Sequence, residues 1–168
     1  TVQGALMPDA HQGYGLPIGG VLATENSVIP YGVGVDIGCR MCLSLYDLPT
    51  DDLTTQRDKF AKLLGENSRF GLQTFDHPLD DPIFARDEFK YIKVARDNRD
   101  KAYKQIGSSG GGNHFVEFGI AKITDANNEM GVPKGEYLAV LSHSGSRGMG
   151  AKIANHYTKV AMQKCRLP

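Results

Sequence analysis

"FVEFGIAKITDANNEMGVPKGEYLAVLSHS", residues 115–144, holds two apolar runs on either side of a polar turn with Asn127, Asn128 and Gly131. β-Branched and aromatic residues in runs of this length, bounded by Asn and Gly, predict two strands, 115–124 and 136–144. Each run ends beside chemistry. Upstream lies "GSSGGGNH", residues 107–114, which delivers Asn113 and His114 at the start of the first strand. The second run ends in "LSHSGSRGMG", residues 141–150, with His143, Ser144, Ser146 and Arg147. Two glycine-rich junctions, each bearing a histidine, therefore flank one predicted strand pair.

Residues 1–48 read as further short apolar runs, "ALM", "IGGVLA", "SVIPYGVGVDI" and "MCLSLYDL", broken by Gly, Pro and Asn. Helical patterns occupy the rest. "TDDLTTQRDKFAKLLG" predicts a helix over 51–64, "DPIFARDEFKYIKVARDNRDKAYKQIG" a helical stretch ending at Gly107, and "RGMGAKIANHYTKVAMQKC" a final helix. In that last helix Met149, Ile153, Tyr157 and Val160 form an apolar stripe, with Lys152, Asn155 and Lys159 on the other face. Residues 66–84, polar and carrying Gly71, Pro78 and Pro82, read as a loop. No regular βαβ rhythm appears, so the expected class is α+β, with mixed sheets and flanking helices.

The 168 residues suffice for one core, and one domain over 1–168 is expected. Both ends look cut, as if the chain were the central part of a longer one. Nineteen Lys and Arg balance nineteen Asp and Glu, so no global field draws the chain to a polyanion. Local excess exists nonetheless: residues 86–104 carry seven basic and four acidic side chains, which fits a solvated helix face or a track for a phosphate backbone. There is no membrane-spanning run and no secretory leader pattern, so the expected location is cytoplasmic. Cys39, Cys42 and Cys165 are a poor disulfide framework and suit free thiols or metal ligands.

"GVGVDIGCRM", residues 32–41, sets Asp36 between Val35 and Ile37, as at a buried strand end, with Cys39 three residues on. If Gly38 turns the backbone, carboxylate and thiolate can converge on one point. Such a pair suits a borderline metal (Mn, Fe, Co or Zn) and not Mg or Ca, although a buried cysteine is also an ordinary core residue. The glycines of 107–112 can expose N–H groups as a phosphate cradle or act as a linker. Arg147 and the helix start after Ser146 favour an anion; the serines would otherwise serve as caps. Asp9 and His11 lie at alternate positions of "MPDAHQGYGLPIGG", residues 7–20, and would share a face of an extended segment. Cys39-Arg-Met-Cys42 has the C-x-x-C spacing, but it lacks the second pair of a zinc clip and does not open a helix as a redox centre does. His77 and His156 have no comparable context.

"MPDAHQGYGLPIGG", "GVGVDIGC", "GGGNHF" and "HSGSRG", in this order, resemble the RtcB family of RNA-splicing ligases. The resemblance implies an enzyme that joins RNA 2′,3′-cyclic phosphate or 3′-phosphate ends to 5′-hydroxyl ends, using GTP and two Mn²⁺ ions, through a guanylylated histidine. In that scheme Asp36, Cys39 and His114 match ligands of one ion, and Cys39 and His143 match ligands of the other. Asn113, His114, Phe115, Val116 and Glu117 match a GTP-contacting segment, Asp9 an acidic residue of the catalytic site, and Arg147 and Ser144 are expected to meet phosphate or RNA. Cys42 matches no ligand. The guanylylated histidine lies beyond residue 168, so this chain alone is expected to be inactive. A binuclear metal-dependent phosphatase or nuclease, or a non-catalytic fragment, is the alternative.

Overall fold

The computed structural model describes every residue except 14, 31, 33 and 166–168. It is α+β and divides into two compact units, Thr1–Gly38, Asp80–Lys104 and Ser146–Pro168 in one, Cys39–Leu79 and Gln105–Gly145 in the other. No helix among the described residues is long and apolar enough to cross a membrane.

The second unit is organised by three strands, β3 (Arg40–Tyr46), β4 (Phe115–Ile123) and β5 (Gly135–Ser144). β5 is central and antiparallel to both neighbours, in register from Arg40↔Ser144 to Tyr46↔Leu138 on one side and from Phe115↔His143 to Ile123↔Gly135 on the other. The strand pair read at 115–124 and 136–144 is thus present, and the central strand is the most deeply buried: Leu138 is 1% and Ala139 4% exposed. Burying a leucine this completely contributes roughly 1.5–3 kcal/mol. Helix α2 (Arg57–Asn67) lies over the sheet, with the Phe60 ring edge-on to Phe118 at 4.7 Å. An apolar cavity of about 420 Å³ remains between them, lined by Phe60, Leu64, Val116, Leu138 and Val140.

The single helix read over 51–64 is two, α1 (Asp52–Thr55) and α2, because Gln56 leaves helical geometry at φ −119°, ψ 30°. Its neighbours favour the interruption: the Thr55 hydroxyl bonds back to the Asp51 carbonyl, a competition with the backbone that marks Thr as a poor interior residue. Past α2 the chain is irregular but tied to the glycine-rich segment, with Ser109 N donating to Arg69 O and Gly71 N to Gly110 O. The one parallel pairing among the described residues is the isolated bridge Phe70↔Gly110.

The first unit holds an antiparallel ribbon, β1 (Gln3–His11) with β2 (Ile18–Ala23), whose register shifts between Leu6 and His11. The "IGGVLA" run is β2 in full. Residues 34–39, read as a strand end around Asp36, form turns instead, and Tyr31 and Val33 of that run lie outside the described residues. The helical stretch before Gly107 is broken into a 3₁₀ turn (Pro82–Ala85), α3 (Glu88–Tyr91), α4 (Lys93–Arg96) and α5 (Arg99–Gln105). Ile92 separates α3 from α4 with extended φ −94°, ψ 108°. These short pieces are held by a small aromatic core, where Phe84 packs on Phe89 and Tyr103 and lies under the Arg99 guanidinium.

Helix α6 (Arg147–Lys164) closes the unit. Its buried residues are Gly150 and Ala154, while Tyr157 of the expected apolar stripe stays 42% exposed. Small residues define the packed face because the neighbouring backbone comes close. A Cβ on Gly150 would overlap the Ser146 side chain and stand 3.2 Å from Ile37 Cγ1.

Candidate metal centre

β3 and β4 both run antiparallel to β5, so both begin where β5 ends. Cys39 immediately precedes β3, His114 immediately precedes β4, and His143 is the penultimate residue of β5. Three residues distant in sequence therefore meet at one end of one sheet. One ligand atom from each of Cys39, His114 and His143 lies within 4.8 Å of the other two.

The contacts orient them. Cys39 Sγ is 2.7 Å from His143 Nε2, and His143 Nδ1 lies 3.1 Å from the Asn113 carbonyl. A carbonyl accepts only, so that bond places a proton on Nδ1 and directs the Nε2 lone pair toward the cluster, the arrangement by which a ligating imidazole is usually fixed. The rings of His114 and Phe115 each stand edge-on to His143, at 5.1 and 5.6 Å between centroids. Phe115 thus holds the imidazole in place, while Val116 lines the apolar cavity under α2 and Glu117 is exposed. The donor set, one thiolate sulfur and two imidazoles, fits a borderline divalent ion and not a hard one.

Behind the cluster, the glycine-rich segment is a built support. Ser108, Ser109 and Gly110 are buried, and Gly107, Gly110 and Gly112 adopt φ of 77°, 123° and 71°, which glycine alone takes without strain. Ser109 N is committed to Arg69 O, and Ser109 O accepts from Gly145 N just past β5. A flexible linker is excluded, and the Ser109 N–H does not serve as a phosphate cradle.

In the first unit, Asp36 Oδ1 accepts from both the backbone N–H and the hydroxyl of Ser146, each at 2.7 Å. The carboxylate therefore sits at the start of α6, where its charge is favoured by the helix dipole. Ser146 does not cap the helix with its own side chain, which was the alternative role for the serines here. Gly38 shows no positive φ; what it permits is close approach, since a Cβ there would be 3.2 Å from Ser146 Cβ. Arg147 follows with φ 55°, and burial lowers its pKa, partly opposed by the charge of Asp36. Ser144 is half-buried in β5 opposite Arg40. Asp9 is exposed on β1, with Oδ1 against Gly19 of β2, and its carbonyl is 2.7 Å from His11 Nδ1. Sequence reading missed the Asn113 carbonyl and the Ser146 bond to Asp36; only side-chain signals were available to it. Cys42 lies within β3 opposite Ser142 and outside the metal-type cluster. His77 and His156 are exposed.

Fold and cluster define an α+β protein able to hold a transition metal at the end of an antiparallel sheet. The family described as "tRNA-splicing ligase RtcB" matches residues 1–82 and 85–167, and the chain belongs to this RtcB family. Among its relatives are RNA-splicing ligase RtcB homolog 1 of Entamoeba dispar, 28% identical over 97% of this chain and 38% of the relative. The tRNA-splicing ligase RtcB of Thermococcus kodakarensis is 30% identical over 92% of this chain and 39% of its own length. RNA-splicing ligase RtcB of Escherichia coli K12 is 30% identical over 95% of this chain and 40% of its own. The chain thus spans about two fifths of the length of the curated relatives it matches.

Proposed function

We propose that this chain is the metal-holding central part of the catalytic domain of an RNA ligase that joins 2′,3′-cyclic phosphate or 3′-phosphate ends to 5′-hydroxyl ends with GTP and Mn²⁺. The observation that carries this reading is the convergence of Cys39, His114 and His143 in a chain of this family. Bound there, divalent metal would supply Lewis-acid stabilisation of charge on a phosphoryl group. The chain's own residues prepare for it: Asn113 O fixes the His143 tautomer, Phe115 restrains the ring, and Cys39 offers a thiolate beside Nε2. Cys39 bridging two ions, and Asp36 ligating one of them, belong to this proposal, as do GTP contacts from Asn113 to Glu117, phosphate contacts from Arg147 and Ser144, and an acidic role for Asp9.

The test is joining of a 3′-phosphate RNA to a 5′-hydroxyl RNA by the full-length protein with GTP and Mn²⁺. Joined product that disappears with Cys39→Ala supports the ligase; phosphate release without GTP would instead make the protein a hydrolase. The 168 residues alone are expected to form no covalent GMP adduct.

A further inference from the structure

Charge is balanced over the whole chain but not within it. Residues 93–105 and 147–164 carry nine Lys and Arg against two carboxylates, Asp97 and Asp100, leaving ten against seventeen elsewhere. Helix α6 has no acidic residue in its 18 positions. Within the first unit, Val94, Lys101, Gly148, Ala151, Lys152, Asn155, His156 and Lys159 line an open groove of about 490 Å³. The two basic tracts, separate in sequence, thus form its walls.

We infer that this groove binds the sugar-phosphate backbone of single-stranded RNA, through Lys101, Lys152 and Lys159, with Asn155 and His156 as hydrogen-bonding groups between them. The identity of the polyanion rests on the ligase reading above; the groove rests on the charges and their placement. Lys152, Asn155, His156 and Lys159 follow i, i+3, i+4, i+7 spacing on one helix face, covering roughly 10 Å of rise. A strand with one phosphate per ~3.4 Å would present about three charges over that length. The lysines are exposed and strung along the face, an arrangement for a chain of phosphates and not for one enclosed phosphate group. Facing carboxylates do little to neutralise them. Asp97 is engaged by Lys93, Asp100 lies on α5 beside Lys101, and among the described residues no carboxylate forms an ion pair with Lys101, Lys152 or Lys159. Backbone contacts of this kind position a nucleic acid without reading its sequence.

The experiment is fluorescence anisotropy of a labelled, unstructured 20-nucleotide RNA with the full-length protein in EDTA, at 50–300 mM salt. Wild type is expected to bind, Lys101→Ala/Lys152→Ala/Lys159→Ala to bind at least about tenfold more weakly at low salt, and the slope of log K against log salt to shrink by about two. The corresponding triple Lys→Arg variant is expected to bind as wild type does. An unchanged affinity and slope in the alanine variant, absence of binding by wild type, or displacement of RNA by polyaspartate of equal charge as readily as by RNA would each overturn the inference. Unaltered circular dichroism of the variant, whose substituted residues are exposed, excludes unfolding as the cause of loss. Failure of the two readings is separable: RNA bound through the groove without joining removes the ligase and keeps the groove, and joining with unaltered RNA affinity in the variant does the reverse.

Discussion

The two units bring remote residues together by different means. In the second, Cys39, His114 and His143 lie within one residue of a strand end, and the backbone ladder around β5 places them. In the first, a carboxylate 110 residues upstream reaches the N-terminus of α6, and a helix face lines a groove with α4 and α5. Strand pairing fixes position through many equivalent bonds, so a site at strand ends inherits the rigidity of the sheet. A helix start held by one carboxylate depends on a few particular atoms, and single substitutions there should be felt directly.

The largest expected effect strikes the strand-end site. Cys39→Ala should weaken Co²⁺ or Mn²⁺ binding by at least about 100-fold, more than the 10–100-fold typical of losing a supporting group. It should also abolish the near-ultraviolet thiolate-to-Co²⁺ absorption, whereas Cys42→Ala should leave both in place. Retention of the band in Cys39→Ala would place the metal elsewhere.

Next come two glycine substitutions of opposite sign, one per unit. Gly150→Ala should destabilise by about 2 kcal/mol, since overpacking against Ser146 and Ile37 outweighs the helix-propensity gain of up to about 1 kcal/mol. Gly65→Ala, in α2 with open space around its Cβ position, should stabilise by about 0.5–1 kcal/mol. Denaturant midpoints measured side by side decide it; equal signs would break the contrast. Ser146→Ala should cost about 1 kcal/mol by removing the hydroxyl bond to Asp36 while keeping the backbone one.

The smallest effect is pH dependence in the helical pieces of the first unit. The hydrogen bond from Arg86 lowers the pKa of Glu88, and that from Lys93 lowers the pKa of Asp97. A depressed folded-state value contributes stability above the usual carboxylate range near 4, lost as pH falls below it. Both pairs are exposed, so the contribution is slight and vanishes in salt. Melting between pH 6 and 3 should show a shallower decline in Glu88→Gln/Asp97→Asn than in wild type.

What could be read in advance follows the same division. The strands at 115–124 and 136–144 were legible because pattern and turn chemistry agree, and once they pair, His114 and His143 must lie together. Cys39 was legible as a candidate through its motif, although its placement depends on β3 joining the far side of β5, which no local pattern states. The helix over 51–64 and the stretch before Gly107 were overextended, because periodicity does not register single residues such as Gln56 and Ile92 that leave helical geometry. Gly38 lies in the expected turn, but its close approach to Ser146, a contact across 108 residues, is stated by no local pattern. On α6 the two faces were legible, with Met149, Ile153 and Val160 half-buried and Lys152, Asn155 and Lys159 exposed, but hydrophobicity marks large side chains and so missed that the deepest positions are Gly150 and Ala154 and that Tyr157 is exposed.

The hairpin linking β4 and β5 turns between Ile123 and Gly135, at the opposite end of its strands from Cys39, His114 and His143. Nine residues of strand place that turn roughly 30 Å from the cluster. It is therefore the natural site for engineering: a reporter peptide inserted at 126–130, or new termini opened there, leaves the Cys39, His114 and His143 cluster and both ladders intact. A one-residue deletion within β5 would do the opposite, turning His143 to the other face of the sheet.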